Sequence, residues 1–169
     1  GTVGKEIVEQ LNVEKVIPDI YLCCCGGGGL IAGSSFYLKK NFPKVKNYSV
    51  EPKEFNDTQL SLLNNKIISN QESSRSICDA LLATHPGELT FEINKCTLSG
   101  GLTVSDIQVK KTIKQIAESL KVMVEPGGAV AAAALLSKKI DVKNKIVVVI
   151  LSGGNIDYEF FSEIVTTKY

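Results

Sequence analysis

The sequence predicts an α/β fold with a mostly parallel sheet and helices on both faces. Segments of strand and helix character alternate along the 169 residues, and two short apolar segments, 20–25 and 145–151, each end in a glycine-rich turn. Continuously apolar strands are typical of parallel sheets that helices cover on both sides. Alternating strands and helices imply right-handed βαβ crossovers, so we expect one three-layer domain over residues 1–169.

The first half of the chain is predicted to hold two helices, two strands and a long loop. The predicted elements are a helix over 3–11, a strand over 20–25, a helix over 30–41, a strand over 45–50 and a polar, mobile loop over 64–75. The first helix is indicated by apolar residues at helical spacing, and Pro18 breaks the chain after it. Lys39 and Lys40 fall in the last turn of the second helix, where positive charge is favourable.

The second half is predicted to hold three helices and one strand. Ser105 and Gln108 form the signature of a capping box, so a helix is expected to begin there. The face of this helix predicted to be buried consists of Val109, Ile113, Ile116 and Leu120. Pro126 favours the start of another helix, and the alanines at 131–134 allow it to pack closely on the sheet. The remaining expected elements are a buried strand over 145–151 and a terminal amphipathic helix marked by Phe160, Phe161 and Ile164.

Composition and charge exclude several classes of partner. The net charge is +1 and no basic run exceeds two residues, so we expect no nucleic-acid partner and no binding to an acidic membrane surface. No apolar stretch approaches the length of a membrane span and the start does not resemble a signal peptide, so the expected location is cytoplasmic. The 5 cysteines lack the spaced pairs of a disulfide framework, so reduced thiols are expected.

The stretch Cys23–Leu30 consists of three cysteines, four glycines and a leucine. Glycines between a strand and a helix leave backbone N–H groups free to converge on a phosphate at the helix amino terminus. The same glycines could serve only to bring the helix close to the sheet, and their spacing matches neither a Walker loop nor a dinucleotide fingerprint. Adjacent strand residues point to opposite faces, so the cysteines cannot all face one metal and are interpreted as small buried hydrophobes.

Six short motifs follow one another along the chain. They are Gly1–Gly4, Gly26–Leu30, Val50–Pro52, Pro86–Phe91, Val124–Ala129 and Leu151–Asn155. In this order they resemble the carboxyl-terminal half of the threonine/serine dehydratases, which are also called threonine ammonia-lyases. These are pyridoxal-phosphate enzymes of the tryptophan synthase β-like fold, known as fold type II, to which serine racemase also belongs. The resemblance implies that the chain is part of the large domain of such an enzyme and carries no regulatory domain.

The resemblance also implies a site for pyridoxal 5'-phosphate. The residues implied to form it are Gly26, Gly27, Gly28, Gly29, Leu30, Glu125 and Ser152. The glycines would hold the phosphate through backbone amides, and Ser152 would place a neutral hydroxyl against the pyridine nitrogen, which suits β-elimination. Two simpler readings stay open: Ser152 belongs to an ordinary turn after a strand, and Glu125 only favours the start of a helix.

A second implied site is a structural cation site. Glu51, the backbone carbonyl of Phe55 and Asp57 match the spacing at which relatives hold a divalent ion, and such oxygen ligands suit magnesium or calcium. The alternative is that the two carboxylates are solvated loop residues. His85, the only histidine, precedes Pro86 in a predicted turn and is interpreted as a surface residue.

The family's catalytic lysine, which forms the Schiff base with the cofactor, would lie before Gly1, so no catalytic residue is assigned in this chain. A Schiff-base lysine must be positioned and its pKa lowered, so an arbitrary surface amine cannot replace it. We therefore expect half an enzyme, a fragment that is inactive alone. An uncovered half-sheet favours a homo-oligomer or pairing with the missing amino-terminal half.

The resemblance predicts a cofactor-binding half of an ammonia-lyase that deaminates the amino acids L-threonine or L-serine. A neighbouring reading within the same class is serine racemase. An alternative of another class is a non-catalytic remnant that keeps a pyridoxal-phosphate or phosphate site. A generic nucleotide binder is a third reading, against which the Ser152 motif argues.

Overall fold

The computed structural model describes every residue from Gly1 to Tyr169 and contains seven α-helices and one four-stranded parallel sheet. The strands are β1 (Ile20–Cys24), β2 (Lys46–Pro52), β3 (Leu98–Val104) and β4 (Val147–Val149). The helices are α1 (Thr2–Val13), α2 (Gly29–Asn41), α3 (Asp57–Asn64), α4 (Glu88–Thr97), α5 (Asp106–Leu120), α6 (Pro126–Leu136) and α7 (Tyr158–Thr166), and a 3₁₀ turn spans Asp79–Leu81. The predicted α/β class is confirmed. None of the helices is long and apolar enough to cross a bilayer.

The strand order β3-β2-β1-β4 explains where a ligand can bind. The chain builds the sheet outward from β1 through β2 to β3, and then returns to place β4 on the other side of β1. In open parallel sheets, ligands bind outside the carboxyl ends of the strands at the point where the strand order reverses. Here that point lies between β1 and β4, and the glycine loop and Ser152 directly follow these two strands.

One hydrophobic core joins the sheet to the helices that pack on it. Helix α6 packs against β1, β2 and β3, and α5 lies against α6. The alanines at 131–134 are all buried, as expected for a helix that lies close to a sheet. Helix α2 packs on β1, where the Tyr21 hydroxyl donates to Ser34 Oγ at 2.8 Å. The core therefore fixes the directions in which the loops after β1 and β4 leave the sheet.

The strand predicted over 145–151 is shorter and more exposed than expected. Strand β4 covers only Val147–Val149, its residues are half-buried, and Ile146 and Leu151 are 45% and 37% exposed. The reason is position: β4 lies at the edge of the sheet and pairs only with β1. The prediction of a fully buried strand was wrong, although its place in the parallel sheet was not.

Helix α5 confirms one detail and corrects another. Its predicted capping box is present, because Gln108 N donates to the Ser105 hydroxyl and Ser105 N donates to the Gln108 side chain. Its buried face includes Val109, Ile113 and Ile116, but Leu120 is 59% exposed. The last turn of the helix therefore extends past the layer that covers the rest of that face.

Candidate functional site

The loop between β1 and α2 opens onto a cavity of about 260 Å³ at the carboxyl edge of the sheet. Twelve residues line it: Cys24, Cys25, Gly26, Gly27, Gly28, Gly29, Leu30, Ala80, Leu81, Glu125, Gly127 and Ser152. All the residues that the sequence assigned to the cofactor are in this set. The structure thus brings together residues that are more than 100 positions apart, because the strands they follow are neighbours in the sheet.

The glycine loop presents a row of free backbone donors to this cavity. None of the N–H groups from Gly26 to Ile31 donates to an acceptor of the protein. Helix α2 begins at Gly29, so its partial positive charge adds to these donors. A Cβ placed on Gly27 or Gly29 would meet no atom within 4 Å and would project into open space. Free donors at a helix amino terminus, without side chains to block them, form a cradle for an anion.

Helix α4 holds the glycine loop from behind. Thr90 Oγ1 lies 2.7 Å from the carbonyl oxygen of Gly27 and 2.9 Å from that of Gly87, and Gly87 N also donates to the Gly27 carbonyl at 3.2 Å. Gly28 has a φ of +88°, and a Cβ there would lie 2.9 Å from Thr90 Oγ1 and 3.0 Å from Asn94 Nδ2. This left-handed, tightly backed position is one that only glycine fills without strain. The sequence assigned no function to Thr90 beyond its membership of a motif.

The opposite wall of the cavity is the turn after β4, which is fastened to the start of α6. The Glu125 carboxylate accepts a hydrogen bond from Asn155 N at 3.1 Å, and Glu125 N donates to the Gly153 carbonyl at 3.4 Å. Gly128 lies directly against the Ser152 carbonyl, where there is no room for a Cβ. These contacts hold Ser152 facing the glycine loop across the cavity. Glu125 therefore positions this turn through its carboxylate and its backbone N–H.

Cys24 is a cavity residue that sequence reasoning missed. All three adjacent cysteines are buried, as interpreted, but Cys24 Sγ lies 3.0 Å from Ser152 Oγ, whereas Cys25 Sγ lies 3.3 Å from Thr58 Oγ1. The alternation of side chains along a strand could have indicated that Cys24 differs from its neighbours, because it places Cys24 on the face opposite to Cys23 and Cys25. That Ser152 lies on the Cys24 face depends on packing and could not be read from the sequence.

The Glu51 and Asp57 carboxylates lie close together at the amino terminus of α3, away from solvent. Glu51 is 0% exposed and accepts hydrogen bonds at 2.8 Å from Thr58 N and Gln59 N, and Asp57 is 1% exposed. Burial and the nearby Asp57 charge raise the pKa of Glu51 to about 8, and burial raises the pKa of Asp57 to about 6. Neither carboxylate is a solvated loop residue, so that alternative is wrong.

The same pair shows which oxygens are free to bind a cation. Asp57 Oδ1 accepts a hydrogen bond from Asn70 Nδ2, but Asp57 Oδ2 is buried without any partner. The carbonyl of Phe55 also receives no hydrogen bond from the protein. No group of three or more carboxylate, thiol or imidazole side chains is arranged to hold a metal ion. His85 is exposed, as predicted, and its ring Nδ1 lies 3.0 Å from the Pro86 carbonyl.

Comparison with known proteins identifies the family. The model of a family described as "Pyridoxal-phosphate dependent enzyme" matches residues 1–153. This chain belongs to that family. Its relatives include serine racemase of Schizosaccharomyces pombe, 34% identical over 162 residues, which are 96% of this chain and 49% of that protein. L-threonine ammonia-lyase of Thermotoga maritima is 36% identical over 166 residues, which are 98% of this chain and 40% of that protein.

The fold also matches solved structures of the pyridoxal-phosphate dependent family. The crystal structure of a threonine deaminase from T.th. superposes with a TM-score of 0.87 at 31% identity, covering 93% of this chain and 57% of that one. The chain thus spans about half the length of the relatives it matches. The predicted resemblance to threonine ammonia-lyase and serine racemase is confirmed at the level of the family.

The cavity fits the phosphate end of pyridoxal phosphate. The cradle of free N–H groups, its open space in front of Gly27 and Gly29, and the helix terminus behind it are what a dianion requires. Across the cavity, Ser152 supplies a hydroxyl that can donate or accept one hydrogen bond at a ring nitrogen. A nucleotide phosphate could use the same cradle, so the family assignment rather than the loop alone selects the cofactor.

Proposed function

We propose that this chain is the pyridoxal-phosphate-binding half of a threonine or serine ammonia-lyase. Such an enzyme converts L-threonine to 2-oxobutanoate, or L-serine to pyruvate, with release of ammonia. The observation that carries the proposal is the convergence of the free glycine-loop donors and Ser152 on one cavity. The similarity to L-threonine ammonia-lyase of Thermotoga maritima supports the choice of reaction.

Each part of the cavity has a proposed task. The backbone amides of Gly26 to Gly29 bind the cofactor phosphate, and Leu30 continues the helix behind them. The Ser152 hydroxyl contacts the ring nitrogen, and Glu125 holds the turn that carries Ser152 through its bond from Asn155 N. When bound, the cofactor supplies an electron sink for loss of the α-proton and the β-hydroxyl of the substrate. A neutral serine partner does not enforce protonation of that ring, which suits β-elimination.

We further propose that the isolated chain does not turn over substrate. No lysine lines the cavity, so no amine of this chain is placed to form the covalent link to the cofactor. The test is release of 2-oxo acid from L-threonine and L-serine by the folded chain supplied with pyridoxal phosphate. The expected result is cofactor binding without sustained turnover. Sustained turnover would show that a lysine of this chain forms the covalent link to the cofactor. Absence of cofactor binding would refute the proposed function itself.

A non-catalytic binding module is the second candidate. It would bind the cofactor equally well, so binding alone does not separate the two. Mixing the chain with the complementary amino-terminal half of a related ammonia-lyase discriminates, because only a split enzyme is expected to gain activity. Measuring D-serine beside 2-oxo acid in the same mixture separates the lyase from a racemase. A racemase is a candidate because the Schizosaccharomyces pombe relative is a serine racemase.

For the second site we propose that Glu51, the Phe55 carbonyl and Asp57 bind magnesium or calcium. The free, buried Asp57 Oδ2 and the unpaired Phe55 carbonyl support this, because a cation would satisfy both. Adding either ion is expected to raise the melting temperature of the wild type and not that of Asp57→Asn. Glu159→Gln, at an exposed acid, is the matched control and should respond like the wild type.

We also propose that the chain associates with a second copy or with a complementary half. The edge strand β4 has a free side, and Ile146 and Leu151 beside it are 45% and 37% exposed. Edges and apolar surfaces of this kind favour pairing. Light scattering of the purified chain is expected to show self-association, and a purely monomeric, well-folded sample would speak against a homo-oligomer.

A further inference from the structure

The Ser152 hydroxyl has a sulfur neighbour to which the proposed function gives no task. Cys24 Sγ lies 3.0 Å from Ser152 Oγ, and both residues line the cavity of the glycine loop. Cys24 is 5% exposed, and it lines the cavity, through which a small reagent can reach it. Among the five cysteines, only Cys24 contacts Ser152.

We propose that Cys24 is a positioning residue that decides whether Ser152 presents its proton or its lone pairs to the cavity. This inference rests on the proposed function, in which Ser152 contacts the ring nitrogen of the cofactor. Cys24 would then have a task beyond that of a small buried hydrophobe.

A serine hydroxyl has one proton to donate and two lone pairs that accept. When Cys24 is a thiol and donates to Ser152 Oγ, the Ser152 proton is free to point into the cavity. When Cys24 is a thiolate, Ser152 must donate its only proton to sulfur and can then only accept at the ring nitrogen. An accepting Ser152 favours a protonated ring, and a donating Ser152 favours an unprotonated one.

The surroundings of Cys24 act on its proton in both directions. Cys23 and the Ser152 hydroxyl hold the pKa of Cys24 below its ordinary value, whereas burial and the Glu125 carboxylate oppose this. The other titratable groups close enough to interact with it are Tyr21 on β1, Cys25 directly after β1 and Cys78 beside the 3₁₀ turn. No positive side chain lines the cavity, so the hydrogen bond to Ser152 is the contact in the cavity that stabilises a thiolate.

The first test measures the thiol itself and needs no cofactor. Alkylation of Cys24 by iodoacetamide is followed by peptide mass spectrometry as a function of pH, in the wild type and in Ser152→Ala. Loss of one hydrogen bond to the thiolate is expected to move the pH midpoint of alkylation upward by about half to one unit. The exposed Cys96 is an internal control whose midpoint should stay unchanged. An unchanged Cys24 midpoint in Ser152→Ala would overturn the proposal.

The second test uses pyridoxamine 5'-phosphate as the probe, because it has no aldehyde and so does not form imines with surface lysines. The absorbance of the bound probe is recorded against pH for the wild type, Cys24→Ser and Cys24→Ala, after circular dichroism confirms that each is folded. The wild-type spectrum is expected to change across the Cys24 midpoint. Cys24→Ser keeps a hydrogen-bonding group that stays neutral, so it should lose that change. Cys24→Ala should lose the change as well.

The outcomes separate this inference from the function on which it rests. If the probe binds and all three proteins give the same pH-dependent spectrum, the role of Cys24 is refuted and the proposed function stands. If the wild type binds neither this probe nor inorganic phosphate, the proposed function fails and this inference fails with it. A wild-type change that both Cys24 variants abolish supports the proposal.

Discussion

Two neighbouring glycines of the loop should respond to the same substitution in opposite ways. In Gly28→Ala, an L-residue at a φ of +88° costs about 1–2 kcal/mol. The new methyl would also lie 2.9 Å from Thr90 Oγ1, and overpacking of this kind costs about 1–3 kcal/mol. We therefore expect Gly28→Ala to lower the free energy of unfolding by about 2–5 kcal/mol.

Gly27→Ala should instead leave stability nearly unchanged and weaken cofactor binding. A Cβ at Gly27 meets nothing within 4 Å, so the change in the free energy of unfolding should stay within about 1 kcal/mol. The methyl points into the space that a phosphate would use. Loss of one hydrogen bond to a charged group is worth about 1.5–3 kcal/mol, which is roughly tenfold to a hundredfold in affinity.

Urea denaturation and titration with pyridoxamine 5'-phosphate measure the two effects separately. Gly27→Ala should be stable and bind the probe poorly, whereas Gly28→Ala, at the adjacent position, should be unstable. If Gly27→Ala binds the probe as the wild type does, the phosphate does not sit in this loop. If Gly28→Ala is as stable as the wild type, the left-handed turn backed by Thr90 is not what shapes the loop.

Three further substitutions test the supports around the site. Thr90→Val removes the hydroxyl shared by the Gly27 and Gly87 carbonyls and should cost about 1–3 kcal/mol in urea denaturation, with weaker probe binding; unchanged binding would mean that α4 does not hold the loop. Ser105→Ala removes the cap of α5 and should cost about 1 kcal/mol while leaving probe binding intact. For Glu51, the native pKa of about 8 lies above the value of 4.5 expected when the chain is unfolded. The native state then holds more protons, so in a chelating buffer stability should fall as pH rises from 4.5 toward 8, and Glu51→Gln should flatten this dependence; a flat wild-type profile would contradict it.

The sequence predicted which loops meet at the cavity, because these loops follow strands. The glycine loop follows β1 and Ser152 follows β4, and in a parallel sheet the carboxyl ends of neighbouring strands meet at one edge. The support from α4 was not predicted as structure. Leu89, Ile93 and Cys96 recur at helical spacing on α4, but Leu89 is 75% exposed, so this periodicity does not indicate the face that holds the loop. Tertiary packing on α2 stabilises the helix.

The error at β4 has a general physical cause. A continuously apolar run shows that a strand prefers burial, but exposure is set by the elements beside it. Helix α6 covers β1, β2 and β3, whereas β4 pairs on one side only and remains half-buried. The same run of valines is compatible with a central strand when another part of a protein lies against it. The apolar pattern therefore predicts that the strand favours burial, but it does not predict which element covers the strand.

The three adjacent cysteines show how one strand can serve two sites. Because side chains alternate, Cys24 faces Ser152 at the cavity, and Cys25 faces Thr58, whose backbone N–H binds the Glu51 carboxylate. Both residues line the cavity, but the alternation that excluded a shared metal site turns the Cys24 thiol toward Ser152 and the Cys25 thiol toward Thr58. Two contacts link the Glu51 region to this segment, the hydrogen bond from Cys25 N to the Val50 carbonyl and the Cys25–Thr58 contact, and neither involves the Cys24 thiol. Cys25→Ala should then leave the Cys24 alkylation midpoint unchanged, and a shift comparable to that of Ser152→Ala would show that the two sites are electrostatically joined.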